Sequence, residues 1–376
     1  NEKSNRLKAS IRRMKVLPIA FGDAIPIGNE RSSIQTKIFS LLTAHQAFCK
    51  TYLLNYQTQL DYLKEIIDQC CNNYNISNSN HVVENWQRYV EAHTTQNQRV
   101  IKTRGLVVGT RALLQNRKLA INYLMQDKPV VGITHGEITN TVFNEPLFGY
   151  AELSLCSTLL DFGDIKCKAD LNKPLIEPTT VLKRTSTKVN KIFRQSNDIE
   201  KKGLRSSRAI YIPTLYSGNY FYGPYRGFED DAYTYWQSLL LESFKGITIK
   251  AHPKSRRPEF PNETELRWLE DCVYDYDVLV LDYYSTAATI SVFTDKPVIF
   301  FDLGFRNLDE AFLELLGQRC FYRYIDWSSD ISSQIMNAIS EYNECETNWS
   351  NESLRQYSLC QDDGETLYSV VSRTMY

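Results

Sequence analysis

Six short apolar runs constrain this chain more than any other feature. They are GLVVG (105–109), the VVGI of KPVVGITHGE (128–137), RAIYIPT (208–214), GITIKAHP (246–253), DVLVLDYYST (277–286) and KPVIFFD (296–302). Most are continuous in Val, Ile, Leu or Phe, as expected of a buried parallel strand, while ITIK of 247–250 carries β-favouring residues that lead into a lysine. Helix-length segments separate or follow them, at 111–127, 230–244, 263–274, 286–294 and 307–316. Strand–helix alternation of this kind predicts parallel sheets, because a parallel pair needs a long crossover. A further strand is expected at KVLPIAF (15–21), with GDAIPIGNERSS after it as a loop, and a last one at CFYRYID (320–326). Residues 33–72 and 81–98 carry helical periodicity around the polar cluster CNNYNISNSN, and 164–206 reads as helix and linker. The expected organisation is an N-terminal α/β domain over 1–200, a second over 201–350, and a helical tail over 351–376 that packs back on the first.

A length of 376 residues suits two domains, and 43% hydrophobic content supplies their cores. The net charge of −1 argues against a general nucleic-acid binder, which carries a basic excess. The nine cysteines are odd in number and irregularly spaced, with no C-x-x-C, so reduced thiols are expected rather than a disulfide frame or a zinc site. No run of 18 apolar residues and no signal peptide is read, so the expectation is a cytoplasmic protein, peripheral at most to the inner face of the membrane. The chain opens without Met and is expected to be a segment of a longer protein. Neither G-x-G-x-x-G nor G-x-x-x-x-G-K-[ST] occurs, which argues against a dinucleotide oxidoreductase and a P-loop NTPase.

In parallel α/β sheets ligands bind beyond the carboxyl ends of the strands. The polar residues there are therefore the candidates. The first half offers His135-Gly136-Glu137, an imidazole and a carboxylate that could work as an acid/base pair. The second half offers Lys250 and His252, then Asp282, Ser285 and Thr286. Pro253 restricts His252 to extended backbone, and Lys250, two residues earlier, shares its face of the strand. The pair suits a phosphate; the plainer alternative is a structural histidine beside a surface lysine. Ser285-Thr286 precedes a helix, where a hydroxyl either caps the helix or joins an anion site. The segment YSGNYFYGPYRGFEDDAYTYW (216–236) is crowded with Tyr, Gly and acids, and reads as a substrate loop. Tyr216 and Ser217 would touch substrate, Arg226 would hold an acidic group, and Asp230 or Asp231 would act as nucleophile or base. The plainer reading of the two acids is as helix-start carboxylates.

The Lys250-Ala-His-Pro253 and Ser285-Thr286 pair resembles the HP and S-S/T motifs of bacterial sialyltransferases and Kdo transferases. The stretch DYYSTAATISVFTDKPVIFFD, with the His135-Gly136 dipeptide, is similar to the CDP-glycerol glycerophosphotransferases of teichoic-acid synthesis. The match covers mainly residues 208–302. Two tandem halves with a helical tail look like the GT-B glycosyltransferase architecture, in which two Rossmann-like domains bind acceptor and nucleotide donor respectively. The resemblance implies transfer of an acidic ulosonic sugar, Kdo foremost, from a CMP-activated donor to an oligosaccharide or lipid-linked acceptor of lipopolysaccharide or capsule. It implies that His252, Ser285 and Thr286 contact the donor's phosphate; Lys250 and Asp282 are taken to join them, and, with no metal-ligand cluster evident in the sequence, turnover without metal or cofactor is expected. Association with the membrane surface or with other polysaccharide-assembly enzymes is a further expectation. The acidic motif of the sialyltransferases is not evident in the first half, and Glu137, Asp230 or Asp231 is taken to replace it. The alternatives are a CDP-glycerol or CDP-ribitol phosphotransferase and a non-catalytic glycan-binding module.

Overall fold

The computed structural model describes the backbone of 24–28 and residues 103–111, 113–134, 136, 138–142, 149–165, 178–200, 203–204, 207–213, 230–251, 261–346, 349–361 and 366–375, with isolated positions before 103. The expected strand at 15–21 and nearly all of the expected helices at 33–72 and 81–98 lie outside the described residues.

The first half is built on a five-stranded sheet in the order β1-β2-β3-β4-β5. Its strands are β1 (Ala24–Gly28), β2 (Thr103–Val108), β3 (Val130–Ile133), β4 (Thr158–Phe162) and β5 (Thr180–Arg184). Strands β2 to β5 run parallel, and β1 joins antiparallel at the edge. The β1 segment lies within what the sequence suggests is a loop. Pro26 sits on an edge strand, where a missing N–H is tolerated. Helix α1 (Leu114–Leu124) covers one face through Leu119, Ala120 and Tyr123, which pack with Leu106, Val108, Val130 and Leu159.

The second half holds a fully parallel six-stranded sheet. Its strands are β6 (Ala209–Ile212), β7 (Thr248–Lys250), β8 (Thr264–Glu265), β9 (Val278–Leu281), β10 (Val298–Asp302) and β11 (Phe321–Tyr324). Their order, β11-β10-β9-β6-β7-β8, is the doubly wound arrangement, with its reversal of direction between β6 and β9. The run Val278–Leu281 is buried at every position, as its unbroken apolar sequence requires of a central strand. Helix α2 (Thr187–Gln195), capped by Ser186, links the halves. On one face of this sheet α3 (Asp230–Ser243) presents Tyr233, Trp236 and Leu240 at helical spacing, and α7 (Ile331–Glu344) presents Ile331, Ile335, Ala338 and Tyr342. The other face carries α4 (Leu269–Cys272), α5 (Thr286–Val292) and α6 (Glu310–Arg319). The segment expected as one helix over 263–274 is instead the short β8, the single turn α4 and a 3₁₀ turn.

After α7 the chain returns through the short α8 (Arg355–Ser358) to the first half. There the amide of Asp164 donates to the carbonyl of Gln356, and that of Ser186 to Ser358. The last helix, α9 (Leu367–Met375), lays Val370, Val371 and Met375 on Val107, Val131 and Leu160. It thereby covers the second face of the first sheet. Among the described residues no helix is long and apolar enough to cross a membrane. Cys156, Cys272, Cys320, Cys345 and Cys360 are free thiols.

Candidate functional site

The carboxyl ends of the two sheets meet. The loop after β3 runs out from the first half, and Gly136 on it has a φ of +77°, a left-handed conformation that suits glycine. A Cβ at this position would collide with Oγ1 of Thr286, the first residue of α5. The same loop then docks further on the second half. The carbonyl of Thr141 accepts from the amide of Asp309 at 2.9 Å, Val142 forms a bridge with Leu308, and Ile138 and Val142 enter the second half's core. Gly136, Ile138, Thr141 and Val142 therefore rivet the two halves together beside the start of α5.

Ser285 is the N-cap of α5: its backbone is extended and its hydroxyl accepts from the amide of Ala287 at 3.2 Å. That helix has two turns, so the hydroxyls of Ser285 and Thr286, rather than the helix dipole, are the groups it offers a ligand. Beside them lies Arg306, absent from the sequence-derived set. Its guanidinium stands 4.5 Å from the ring centroid of Tyr283, and its Nη1 donates to the carbonyl of Tyr284 at 2.8 Å. The signal was an arginine in the loop GFRNLD after a parallel strand end, where basic side chains commonly meet anions.

Asp282 lies at the reversal point between β6 and β9 and is 1% exposed. One carboxylate oxygen accepts from the hydroxyl of Tyr211, from that of Tyr233 at 2.7 Å and from the indole of Trp236 at 3.1 Å. This stitches β6, β9 and α3 together at the crevice floor. Burial and the neighbouring carboxylate push the Tyr211 phenol well up, so it remains a donor. Lys250 is 6% exposed, and its ammonium donates to the carbonyl of Ala251 at 2.8 Å. Burial lowers its pKa against the pull of Cys272, Glu265 and Glu270, which places it toward the α4 face. Asp230 and Asp231 open helix α3.

His135, Glu137, Tyr216, Ser217, Arg226 and His252 fall outside the described residues, as do the side chains of Asp230 and Asp231. Of the sequence-derived set, the structure brings Gly136 and Thr286 together across the junction, keeps Asp282 and Ser285 in the segment that follows β9, and directs Lys250 to local partners.

One further acid was missed. Asp161 in β4 is 3% exposed, and burial raises its carboxyl to about 6. It accepts from the hydroxyl of Thr134 at 3.0 Å and from the amide of Phe162 at 2.9 Å. The signal was present in TLLDFG: a carboxylate inside an apolar run that ends in glycine.

No protein-family model matches the sequence, and no curated protein matches it. The chain is similar to several solved structures at 10% identity. One is the spinosyn forosaminyltransferase SpnP, covering 68% of this chain and 72% of that one with a TM-score of 0.35. The glycotransferase of kitacinnamycin covers 88% and 85% with a TM-score of 0.38. The glycosyltransferase SnogD from Streptomyces nogalater covers 63% and 74% with a TM-score of 0.30. All three TM-scores lie below 0.5.

Proposed function

We propose that this chain is a GT-B glycosyltransferase that moves an acidic ulosonic sugar, Kdo foremost, from a CMP-activated donor to a surface glycan acceptor. The observation that carries the reading is the meeting of Gly136 with Thr286, which sets the carboxyl edges of two α/β sheets against each other. A two-substrate transfer needs such a junction, because each sheet edge can present one reactant to the other.

In this reading the second half binds the cytidine nucleotide in the crevice at the β6–β9 reversal. Ser285, Thr286 and His252 donate to the departing phosphate, and Arg306 adds positive charge. Stabilising the charge that develops on a leaving group is commonly the largest single catalytic contribution. Lys250 joins them if its ammonium leaves the Ala251 carbonyl when the donor arrives. Asp282 acts on this crevice indirectly, by fixing the ends of β6 and β9. His135 or Glu137 takes the proton of the attacking acceptor hydroxyl, and Asp230 or Asp231 is the nucleophile if configuration is retained. Tyr216, Ser217 and Arg226 contact the sugar. The enzyme would work in the cytoplasm, peripheral to the membrane where the glycan grows.

A thermal-shift panel with CMP and CDP, on wild type and His252→Ala, tests the donor half of this reading. Cytidine nucleotides should raise the wild-type Tm and leave the variant unmoved. No shift with either nucleotide would remove the donor assignment. Turnover assays with CMP-Kdo, CMP-sialic acid and CDP-glycerol then separate a sugar-acid transferase from a polyol phosphotransferase. A protein that binds nucleotide and turns over none of these donors would instead be a binding module.

A further inference from the structure

Two stretches of chain join the halves. One is α2, which leads from the first sheet to the second. The other is the return through α8 to Gln361. They run against each other: the amide of Ser186 donates to the carbonyl of Ser358, and the amide of Cys360 to the hydroxyl of Thr185, each at 3.0 Å. Beside these ties lies a cleft of about 550 Å³. Asn190, Phe193 and Arg194 of α2 line one wall, and Arg355 and Gln361 of the return stretch line the other. The lining shares no residue with the Gly136–Thr286 junction.

The chemistry of these walls suits an anion. Each guanidinium can give two parallel N–H bonds to a phosphate, and the two come from different stretches of chain. The side-chain amides of Asn190 and Gln361 add neutral donors. Phe193 adds an apolar surface, with Arg355 over its ring at 5.7 Å and Phe293 edge-on to it at 5.9 Å. The neighbouring acids are engaged elsewhere. Glu352 lies 3.3 Å from Nη1 of Arg355 in a pair exposed on both sides, which is worth little in water. Asp164 accepts from the backbone amide of Gln361 at 3.0 Å. Lys191, exposed one turn before Arg194, adds positive charge. A cation in the last turn of α2 also suits the carbonyl end of that helix, but this accounts for Arg194 alone. Two guanidiniums lining one cleft repel each other, and an anion between them relieves both. The volume exceeds that of a bare phosphate ion and suits a larger phosphate ester.

We propose that this cleft binds the phosphate group of a small organic ligand, clamped by Arg194 and Arg355, at a site separate from that of the donor. Occupancy ties α2 to the return stretch and so braces both connections between the halves at once. A soluble sugar phosphate and the headgroup of an anionic lipid carry the same chemistry. The proposal does not draw on the donor reading.

Hydrogen exchange with glucose 6-phosphate, and separately with phosphatidylglycerol vesicles, locates the site and separates the two sources. Protection should appear in peptides covering 187–195 and 355–361, and the probe that gives it names the source. In binding titrations with that probe, Arg194→Ala should weaken affinity by about 10-fold and Arg194→Glu should abolish binding. Arg194 is exposed, so both variants should keep the wild-type Tm. Arg355→Lys keeps the charge but loses the planar fork, and should weaken binding less than Arg194→Glu. Arg306→Ala should leave binding unchanged. Protection by neither probe, or protection confined to 278–290, overturns the proposal. So does binding that survives Arg194→Glu, or that falls in Arg306→Ala as far as in Arg194→Ala. A protein that takes either probe at this cleft and binds no cytidine nucleotide would remove the donor assignment alone.

Discussion

Oγ1 of Thr286 occupies the space into which a side chain on Gly136 would project. The two residues come from different halves, and their fit depends on glycine twice over: for the left-handed backbone and for the missing Cβ. Gly136→Ala should therefore lose about 1–2 kcal/mol from backbone conformation alone, and more from the clash. Thr286→Ala opens the space, so the double variant should be less destabilised than the two single losses predict. A double-mutant cycle by urea denaturation measures this coupling, and strict additivity would mean that the halves do not meet here.

The carboxylate of Asp282 gathers Tyr211, Tyr233 and Trp236 in a buried site. Asp282→Ala strands three donors at once and should cost about 3–5 kcal/mol. Tyr233→Phe removes one donor of the three and should cost nearer 1 kcal/mol. Chemical denaturation of both variants checks the ratio; equal losses would show that the network is not centred on Asp282.

Arg319, fully buried at the end of α6, donates to the carbonyls of Val292, Thr294 and Lys296 and so closes the carboxyl end of α5. Arg319→Ala should cost about 3–5 kcal/mol. Arg319→Lys should recover little, because one ammonium cannot span the carbonyls that a planar guanidinium reaches. Melting curves of the two variants should lie close together and well below wild type.

Asp161 predicts the pH dependence of stability. Its carboxyl is raised from 3.8 to about 6 in the folded chain, so folding favours its protonated form. The folded state loses stability as pH rises from about 4 to about 6, by about 3 kcal/mol from this group, and the contribution is flat above that. Stability measured from pH 4 to pH 8 should fall across that window in wild type, and less so in Asp161→Asn.

The second half was legible because its strands are continuous apolar runs, of which Val278–Leu281 and Val298–Phe301 are the clearest. Their helices follow the expected spans within a few residues, α4 excepted. The first half was harder. β4 is interrupted by the very acid that makes it interesting, and β5, with mostly exposed side chains, hides among the lysines and serines of 164–206. At the site, Ser285-Thr286 and Gly136 could be picked out singly, but nothing in their spacing reveals that they touch. That contact exists because two sheets turn the same kind of edge toward each other, bringing together residues far apart in sequence. Arg306 stands in the short loop between β10 and α6, where no motif marks it out.

Helix α9 completes the first sheet with residues that leave the ribosome after the entire second sheet. Until they emerge, Val107, Val131 and Leu160 face water on a sheet otherwise ready to form. Domains that finish in order of synthesis escape this interval. This chain cannot, and its first sheet must wait, sticky on one side, for a helix made after the second sheet.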